Sequence, residues 1–329
     1  MTVALDHAKT RYGFVGPLLA DPLVEEIIIL GSLRTFVVRD GRKELLPVVT
    51  TTANVRRIAD QLLAGTGRRL DLANPIVSAQ LEDGSRVHIT GPPVTHPDRL
   101  NIQIRKFVVR ANRMTTLVDN GSMPDHVRRF LVAAIANDET ILVAGAPGAG
   151  KTTLVNCLLS EVPPHRRVVT CEEVFEIRSD LPDITQMQTR EAGLDGGAEI
   201  TLRDLVREAL RQRPDRIVVG EVRGPEALDL LMALNAGCAG LATLHANSAV
   251  DALEKMVSYS ILAGSNVTVA FAERTIAAVV RYVVFLRRTP SGRVIEELVE
   301  VRPTDRGTWS TRSIYTATRR GGLPADTNR

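Results

Sequence analysis

The sequence predicts a two-domain protein, in which a small α+β domain precedes a larger α/β domain with a mostly parallel sheet. The length of 329 residues exceeds what one hydrophobic core usually holds. Short β-type runs and turns fill the first hundred residues, and from Pro124 onward helices alternate with apolar strands, which is typical of βαβ units. We expect domains at residues 1–110 and 123–316, a polar linker at 111–122 and a mobile tail at 317–329.

Two hairpin signals mark the first domain. Asp40-Gly41 and Asp83-Gly84 each separate two β-type runs, and such dipeptides favour tight hairpin turns. Between the hairpins, apolar residues at helical spacing predict a helix that stops at Gly65. The strands expected in this domain are residues 35–39, 44–48, 77–81, 86–89 and 100–107.

The second domain should begin with a helix over residues 124–136. Thr201 and Asp204 form a capping-box pattern, which predicts the start of another helix. Two antiparallel strands near the C-terminus should extend the sheet. The strands expected in this domain are residues 140–144, 167–171, 216–219, 241–244, 279–286 and 293–301.

Composition limits the function classes. The chain has 44% hydrophobic and 24% charged residues, which excludes general disorder, and its net charge of +3 argues against a surface built for nucleic acid. Three widely spaced cysteines, Cys157, Cys171 and Cys238, form no C-x-x-C pair and indicate a reducing cytoplasm. No apolar stretch is long enough to span a bilayer. We expect a cytoplasmic protein that reaches the inner membrane only through partners.

Residues 145–152, GAPGAGKT, match the phosphate-binding pattern G-x-x-x-x-G-K-[ST] at every fixed position. The glycines let backbone N–H groups wrap a phosphate, and the following helix directs its N-terminus at the same anion. Lys151, one of five lysines, would contact the β- and γ-phosphates, and the Thr152 hydroxyl would hold Mg²⁺. The predicted nucleotide-binding residues are Gly145, Ala146, Pro147, Gly148, Ala149, Gly150, Lys151, Thr152 and Thr153.

Acidic residues follow two of the predicted strands. Glu221 comes after the strand at 216–219, with Gly220 at the position where a strand-end Asp is usual, so it should lie beside the phosphate loop and act on the attacking water. Glu172, Glu173 and Glu176 follow another strand and would repel one another unless a cation lies among them. One of these three acids is therefore predicted to hold Mg²⁺ together with Thr152; we assign Glu172, acting through water, and the sequence leaves Glu173 and Glu176 open as alternatives. A solvated acidic loop is the alternative.

His245 follows a third strand of the same predicted sheet. Ligands bind at this edge of open α/β sheets, which favours a functional role. A lone histidine is also commonly a structural residue, and the two interpretations are equally open.

Four blocks, GAPGAGKTT, CEEVFEI, RPDRIVVGEVRG and GLATLHANSA, occur in this order and resemble those of the secretion-superfamily traffic ATPases. The chain looks most like the CpaF-type ATPases of tight-adherence (Flp) pilus assembly, and next like conjugation-type ATPases of type IV secretion. The resemblance implies a RecA-like P-loop NTPase domain with a Walker A motif. It matches Glu221 to the catalytic glutamate, Glu172 and Glu176 to an acidic box, and His245 to the box histidine.

The same resemblance implies a homohexameric ring that hydrolyses ATP with Mg²⁺ and works with an integral-membrane platform protein in pilus assembly or protein secretion. Arg86 and Arg105 are similar to family arginines that reach toward the γ-phosphate, although without the resemblance both would be ordinary strand arginines. Further candidates for nucleotide or inter-subunit contacts are Arg190, Arg223 and the helical stripe Arg203, Arg207 and Arg211. Such a stripe is more often a solvated face.

The sequence departs from the family pattern at two places. Glu173 stands where Asp is usual, and Gly237-Cys238 stands where Gly-His is common. The chain also lacks a tetracysteine zinc module and the guanine-selecting Asn-Lys-x-Asp pattern, so ATP is preferred over GTP. A nucleic-acid translocase is an alternative, but the balanced charge and the 4% aromatic content make nucleic acid an unlikely partner. A nucleotide-dependent scaffold with negligible turnover is another.

Overall fold

The chain forms two compact units, Met1–Val109 and Arg110–Arg329. The computed structural model describes residues 12–39, 41–106, 111–190, 198–290 and 292–317. Within these ranges no helix is both long and apolar enough to cross a membrane.

The first unit is a six-stranded antiparallel sheet with two helices. Its elements are α1 (Val15–Ala20), β1 (Val24–Leu30), β2 (Arg34–Arg39), β3 (Arg42–Leu46), α2 (Thr52–Leu63), β4 (Ile76–Gln80), β5 (Arg86–Thr90) and β6 (Asn101–Arg105). The strand order is β3-β2-β1-β6-β5-β4. Alternate residues such as Ile27, Ile29, Ile102 and Ile104 are buried, so one face of the sheet carries the core. Both predicted hairpins, β2–β3 and β4–β5, are confirmed.

The second unit is built on an eight-stranded sheet in the order β14-β13-β12-β7-β11-β10-β8-β9. Its elements are α3 (Met114–Asp119), α4 (Asp125–Ala136), β7 (Ile141–Gly145), α5 (Lys151–Leu159), β8 (Val168–Glu172), β9 (Ile184–Gln188), α6 (Leu202–Leu210), β10 (Arg216–Val222), α7 (Glu226–Asn235), β11 (Ala239–Leu244), α8 (Ala249–Ile261), α9 (Val269–Val279), β12 (Tyr282–Thr289), β13 (Gly292–Pro303) and β14 (Trp309–Thr316). Neighbours from β12 to β9 are parallel, and β13 is antiparallel to both β12 and β14.

Helices cover both faces of the parallel strands, which explains their continuous apolar sequences. Every residue of β7 is buried. Leu142 and Ala144 belong to one core, whereas Ile141 and Val143 belong to another on the opposite face. A strand with two buried faces needs no polar alternation. Because β7, β11 and β10 are parallel neighbours, their C-terminal ends meet at one edge of the sheet, where the phosphate loop begins.

Several sequence-based expectations need correction. The segment 111–122, interpreted as a polar linker, contains α3, whose Met114 and Leu117 are buried in the core of the second unit. Their three-residue spacing places both on one helix face, and the surrounding Thr and Asn residues concealed it. The strand expected at 279–286 starts only at Tyr282, because Val279 ends α9. Of the proposed mobile tail, residues 318–329 lie outside the described residues.

Candidate functional site

A glycine-rich loop joins β7 to α5, as the sequence pattern predicts. Gly148 has φ 72°, and Gly150, the residue before the first turn of α5, has φ 97°. Side chains other than glycine rarely adopt these angles, so the two glycines permit the tight turn. The loop directs the N-terminus of α5 toward the carboxyl edge of the sheet, a position that suits a phosphate group.

Lys151 lies at the centre of the site and is 7% exposed. Its Nζ donates to the carbonyl oxygens of Gly145 and Ala146, at 3.1 and 3.3 Å. The same Nζ lies 3.0 Å from Nδ1 of His245. The ammonium group is thus held over the start of the loop by the chain itself.

Glu221 lies within β10, which continues to Val222 rather than ending at Val219 as expected. Its Oε2 accepts a hydrogen bond from Nη2 of Arg223 at 2.7 Å. Burial raises the pKa of the Glu221 carboxyl, but the Arg223 hydrogen bond and neighbouring positive charges outweigh burial, and the pKa lies below its ordinary value. Glu221 is therefore an ionised carboxylate at neutral pH.

His245 connects Lys151 to Glu221. Its Nε2 lies 2.5 Å from Oε1 of Glu221, an ion-pair distance, but Oε1 accepts no hydrogen bond from the described residues, so the contact is electrostatic rather than directional. Nδ1 faces both the Lys151 ammonium, which can only donate, and the Gly145 carbonyl oxygen at 3.2 Å, which can only accept, so the geometry fits a ring hydrogen on either nitrogen. The three side chains form a continuous polar chain from the loop to the neighbouring strands.

The three acids after β8 do not converge on one point. Glu172 is 1% exposed and accepts hydrogen bonds from the backbone N–H groups of Glu176 and Ile177, at 2.7 and 2.8 Å, and from the Thr170 hydroxyl at 3.1 Å. Burial raises the pKa of Glu172 above its ordinary value. Glu173 pairs with Arg223 at 2.9 Å. Each of these two acids already has partners from the chain.

Glu176 is the acid that reaches the phosphate loop. Its Oε2 accepts a hydrogen bond from the Thr152 hydroxyl at 3.2 Å. Within the described ranges no group of three His, Cys, Asp or Glu side chains could hold a metal by itself. A hydroxyl and one carboxylate fit Mg²⁺, which keeps several waters and takes its other ligands from phosphate oxygens. Thr152 and Glu176 therefore suit this ion when a nucleotide supplies the rest.

Arg86 and Arg105 lie in the first unit, where they are directly opposite each other on β5 and β6. Both alternate with buried residues and so belong to the face of the sheet away from the core. Glu26 on β1 is the other cross-strand neighbour of Arg105. The structure therefore brings these two predicted arginines together within their own unit.

The arginine stripe on α6 pairs with acids instead of presenting free charge. Arg203 and Arg207 both contact Asp229 of α7, at 2.6 and 2.8 Å. Arg211 pairs with Glu208 on its own helix. Of the other arginines predicted, Arg190 donates to the carbonyl of Ala198.

The sequence is similar to those of a known protein family. Residues 8–305 match the family described as type II/IV secretion system protein. The chain belongs to this family. A putative conjugal transfer protein of Mycobacterium tuberculosis is 35% identical over 300 residues, covering 88% of this chain and 84% of that protein. Type IV secretion system protein PtlH of Bordetella pertussis is 37% identical over 205 residues, covering 55% of this chain and 60% of that protein.

Solved structures show the same fold as this type II/IV secretion system protein. The ATPase DotB of Yersinia pseudotuberculosis superposes with a TM-score of 0.64 at 18% identity, over 87% of this chain and 77% of that one. The pilus retraction motor PilT with bound ADP superposes with a TM-score of 0.57 at 20% identity, over 89% of this chain and 80% of that one.

Two residues of this family member beside the phosphate loop escaped the sequence analysis. Arg293 donates from Nε to the carbonyl oxygen of Gly148 at 2.9 Å, and Arg288 lies next to it on the β12–β13 hairpin. The signal available was a pair of arginines on a short hairpin. The sequence alone could not place these arginines near the loop, because their position depends on the pairing of β12 with β7.

Proposed function

We propose that the protein is an Mg²⁺-dependent ATPase that works as a ring motor and powers pilus assembly or protein secretion across the cell envelope. The observation that carries this proposal is the polar chain Lys151–His245–Glu221, which joins a phosphate-binding loop to an ionised carboxylate on a neighbouring strand. The names of the relatives, which include conjugal transfer, secretion and pilus retraction proteins, support an envelope machine.

In this proposal the loop and Lys151 bind the phosphates of ATP. Lys151 would exchange its contacts with the Gly145 and Ala146 carbonyls for phosphate oxygens. Thr152 and Glu176 would hold Mg²⁺, which supplies positive charge to the phosphate oxygens. We propose Glu176 for this role rather than Glu172, because both oxygens of Glu172 already accept hydrogen bonds from the chain.

Glu221 would polarise the attacking water. Its lowered pKa keeps the carboxylate ionised at neutral pH, so that it can accept a hydrogen bond from the water and polarise it. Arg223 hydrogen-bonds one oxygen of Glu221 and so orients the carboxylate, and His245 lies in electrostatic contact with the other oxygen. His245 is then a positioning residue that also couples the state of Lys151 to Glu221.

The remaining assignments rest on the family resemblance. We propose a RecA-like class for the second unit, a homohexamer as the working form, and a cytoplasmic location against the inner membrane through an integral-membrane platform protein. Arg86 and Arg105 would act on the γ-phosphate of a nucleotide. A CpaF-type role in tight-adherence pilus assembly is our preferred assignment. A conjugation-type secretion ATPase is the alternative, favoured by the 35% identity to a putative conjugal transfer protein.

Glu221→Gln tests the proposal directly. The amide keeps the size of the side chain but cannot accept a proton, so steady-state phosphate release should fall by about 10²- to 10⁴-fold. Binding of ADP and ATP, measured by fluorescence titration, should stay close to that of the parent protein. Lys151→Ala is the matched contrast, because it should weaken nucleotide binding itself.

Parental turnover in Glu221→Gln would remove Glu221 from the mechanism. Absence of Mg²⁺-dependent phosphate release in the parent protein, assayed at concentrations that support assembly, would instead favour the nucleotide-dependent scaffold.

A further inference from the structure

The β12–β13 hairpin extends beyond the end of the phosphate-loop strand. β12 pairs with β7 in parallel, and Leu286 is opposite Gly145, the last residue of β7. β12 continues to Thr289, and β13 returns from Gly292. The end of β12 and the start of β13 therefore stand beside the loop, on the side of β7 opposite β11 and β10.

Two arginines of this hairpin lie against the loop. Arg288 and Arg293 are directly opposite each other in the β12–β13 register. Besides the bond from Arg293 to the Gly148 carbonyl, Cδ of Arg293 lies 3.2 Å from the position that a Cβ on Gly150 would take. Nη1 of Arg288 lies 3.6 Å from the corresponding position at Gly148. Both side chains thus pack on the glycine backbone that would surround a phosphate.

Positive charge is concentrated at this arrangement. Like charges directly opposite on neighbouring strands destabilise a sheet. The neighbouring Arg287 is neutralised by Glu296 at 2.5 Å, but no carboxylate among the residues that the structure describes pairs with Arg288. The N-terminus of α5 adds partial positive charge at the same place. This positive charge would attract a bound polyphosphate.

The position of the pair limits its role. Glu221 and His245 belong to the strands on one side of β7, whereas Arg288 and Arg293 lie on the other side. They are therefore suited to binding the nucleotide and remote from the group proposed to polarise water.

Building on the proposed function, we propose that Arg288 contacts a phosphate of the nucleotide bound in the loop of the same chain. Arg293 is a positioning residue, which holds the Gly148 carbonyl and keeps the loop in the conformation that receives the phosphate.

Arg288→Gln tests this proposal in the full chain. Loss of one charge-assisted hydrogen bond should raise the Kd for ADP by about 10- to 100-fold and raise KM for ATP similarly. The kcat at saturating ATP should remain within about 3-fold of the parent value. Arg288→Lys keeps the charge and should restore much of the affinity.

Arg302→Gln is the matched control, because Arg302 lies nine residues along β13 from Arg293, about 30 Å away at the rise of an extended strand. The affinity of the Arg302→Gln variant for ADP should equal that of the parent protein. Equal ADP affinity in Arg288→Gln and Arg302→Gln, with the parent binding ADP, would overturn this inference and leave the proposed function intact. A fall in kcat with unchanged KM would also overturn it. Failure of the parent to bind ADP would instead defeat the proposed function.

Discussion

Two glutamates near the phosphate loop show how the surroundings of a residue set its chemistry. Glu172 is buried and bonded to backbone N–H groups, and burial raises its pKa. Glu221 is also partly buried, but Arg223 lowers its pKa. Pairs of acids with opposite shifts commonly have different roles. One residue stabilises a turn, and the other is available for proton transfer.

Matched amide substitutions should separate Glu172 from Glu176. In Glu172→Gln, the amide oxygen can accept the two backbone hydrogen bonds and the amide nitrogen can donate to Thr170, so stability and turnover should change little. Glu176→Gln should raise the Mg²⁺ concentration needed for half-maximal phosphate release by about 10-fold or more, because an amide is a weaker ligand than a carboxylate. Turnover is measured over a magnesium titration.

The pH dependence of stability gives a second measurement on Glu172. Because the folded state raises the pKa of Glu172, folding favours its protonated form, and this residue's contribution to the free energy of unfolding falls as pH rises from the unfolded pKa through the folded one. Glu172→Gln removes that pH dependence. The free energy of unfolding of this variant should be closest to that of the parent at acidic pH. A large magnesium shift in Glu172→Gln alone would reverse our assignment of the metal ligand.

Among the helices, α6 and α7 are joined by Asp229, which accepts from both Arg203 and Arg207. The carboxylate is 10% exposed, so solvent screens these pairs less than it screens surface pairs. The amphipathic pattern of α6 showed which residues face the core, but the partner of its arginines lies on another helix. Arg203 and Arg207 of the stripe thus join α6 to α7.

Asp229→Ala should destabilise the second unit by about 1–3 kcal/mol, because it leaves two guanidinium groups without their acceptor. Turnover per folded molecule should stay within about 2-fold. Glu208→Ala is the control, since it removes only an exposed pair within α6 and should cost less than about 0.5 kcal/mol. Denaturant unfolding and phosphate release provide the measurements. Unchanged stability with lost turnover would show that the stripe acts in function.

For the whole molecule, the proposed function gives the first unit a part in hydrolysis through Arg86 and Arg105. Arg86 and Arg105 are adjacent on the sheet face away from the core. Two arginines placed side by side suit an anionic ligand such as a γ-phosphate.

Arg86→Gln and Arg105→Gln should each lower kcat by about 10²-fold or more, in line with the size of arginine effects on phosphoryl transfer. Arg57→Gln, on the exposed surface of α2, should leave it unchanged. Arg86 could act on the nucleotide of its own chain or on that of a neighbouring subunit, and mixing Arg86→Gln with Lys151→Ala distinguishes the two. Recovery of turnover on mixing means that the arginine acts on a neighbouring subunit's nucleotide. Parental kcat in both arginine variants would remove the first unit from the chemistry.

The sequence by itself determined the features that depend on local physics. Glycine spacing predicted the phosphate loop at 145–152, turn dipeptides predicted both hairpins, and the pattern at Thr201 and Asp204 predicted a capping box that the structure confirms. Each of these signals lies within a few residues of the structure that it specifies. The alternation of helices with apolar strands after Pro124 predicted a mostly parallel sheet, because βαβ units place their strands in parallel.

Only the tertiary structure decided which distant side chains meet. Lys151 and His245 are 94 positions apart, and Gly148 and Arg293 are 145 apart. Parallel pairing of β7 with β11 on one side and β12 on the other brings them to one edge of the sheet. Burial and partner charges, which depend on that packing, then decided the direction in which the pKa of each glutamate is shifted.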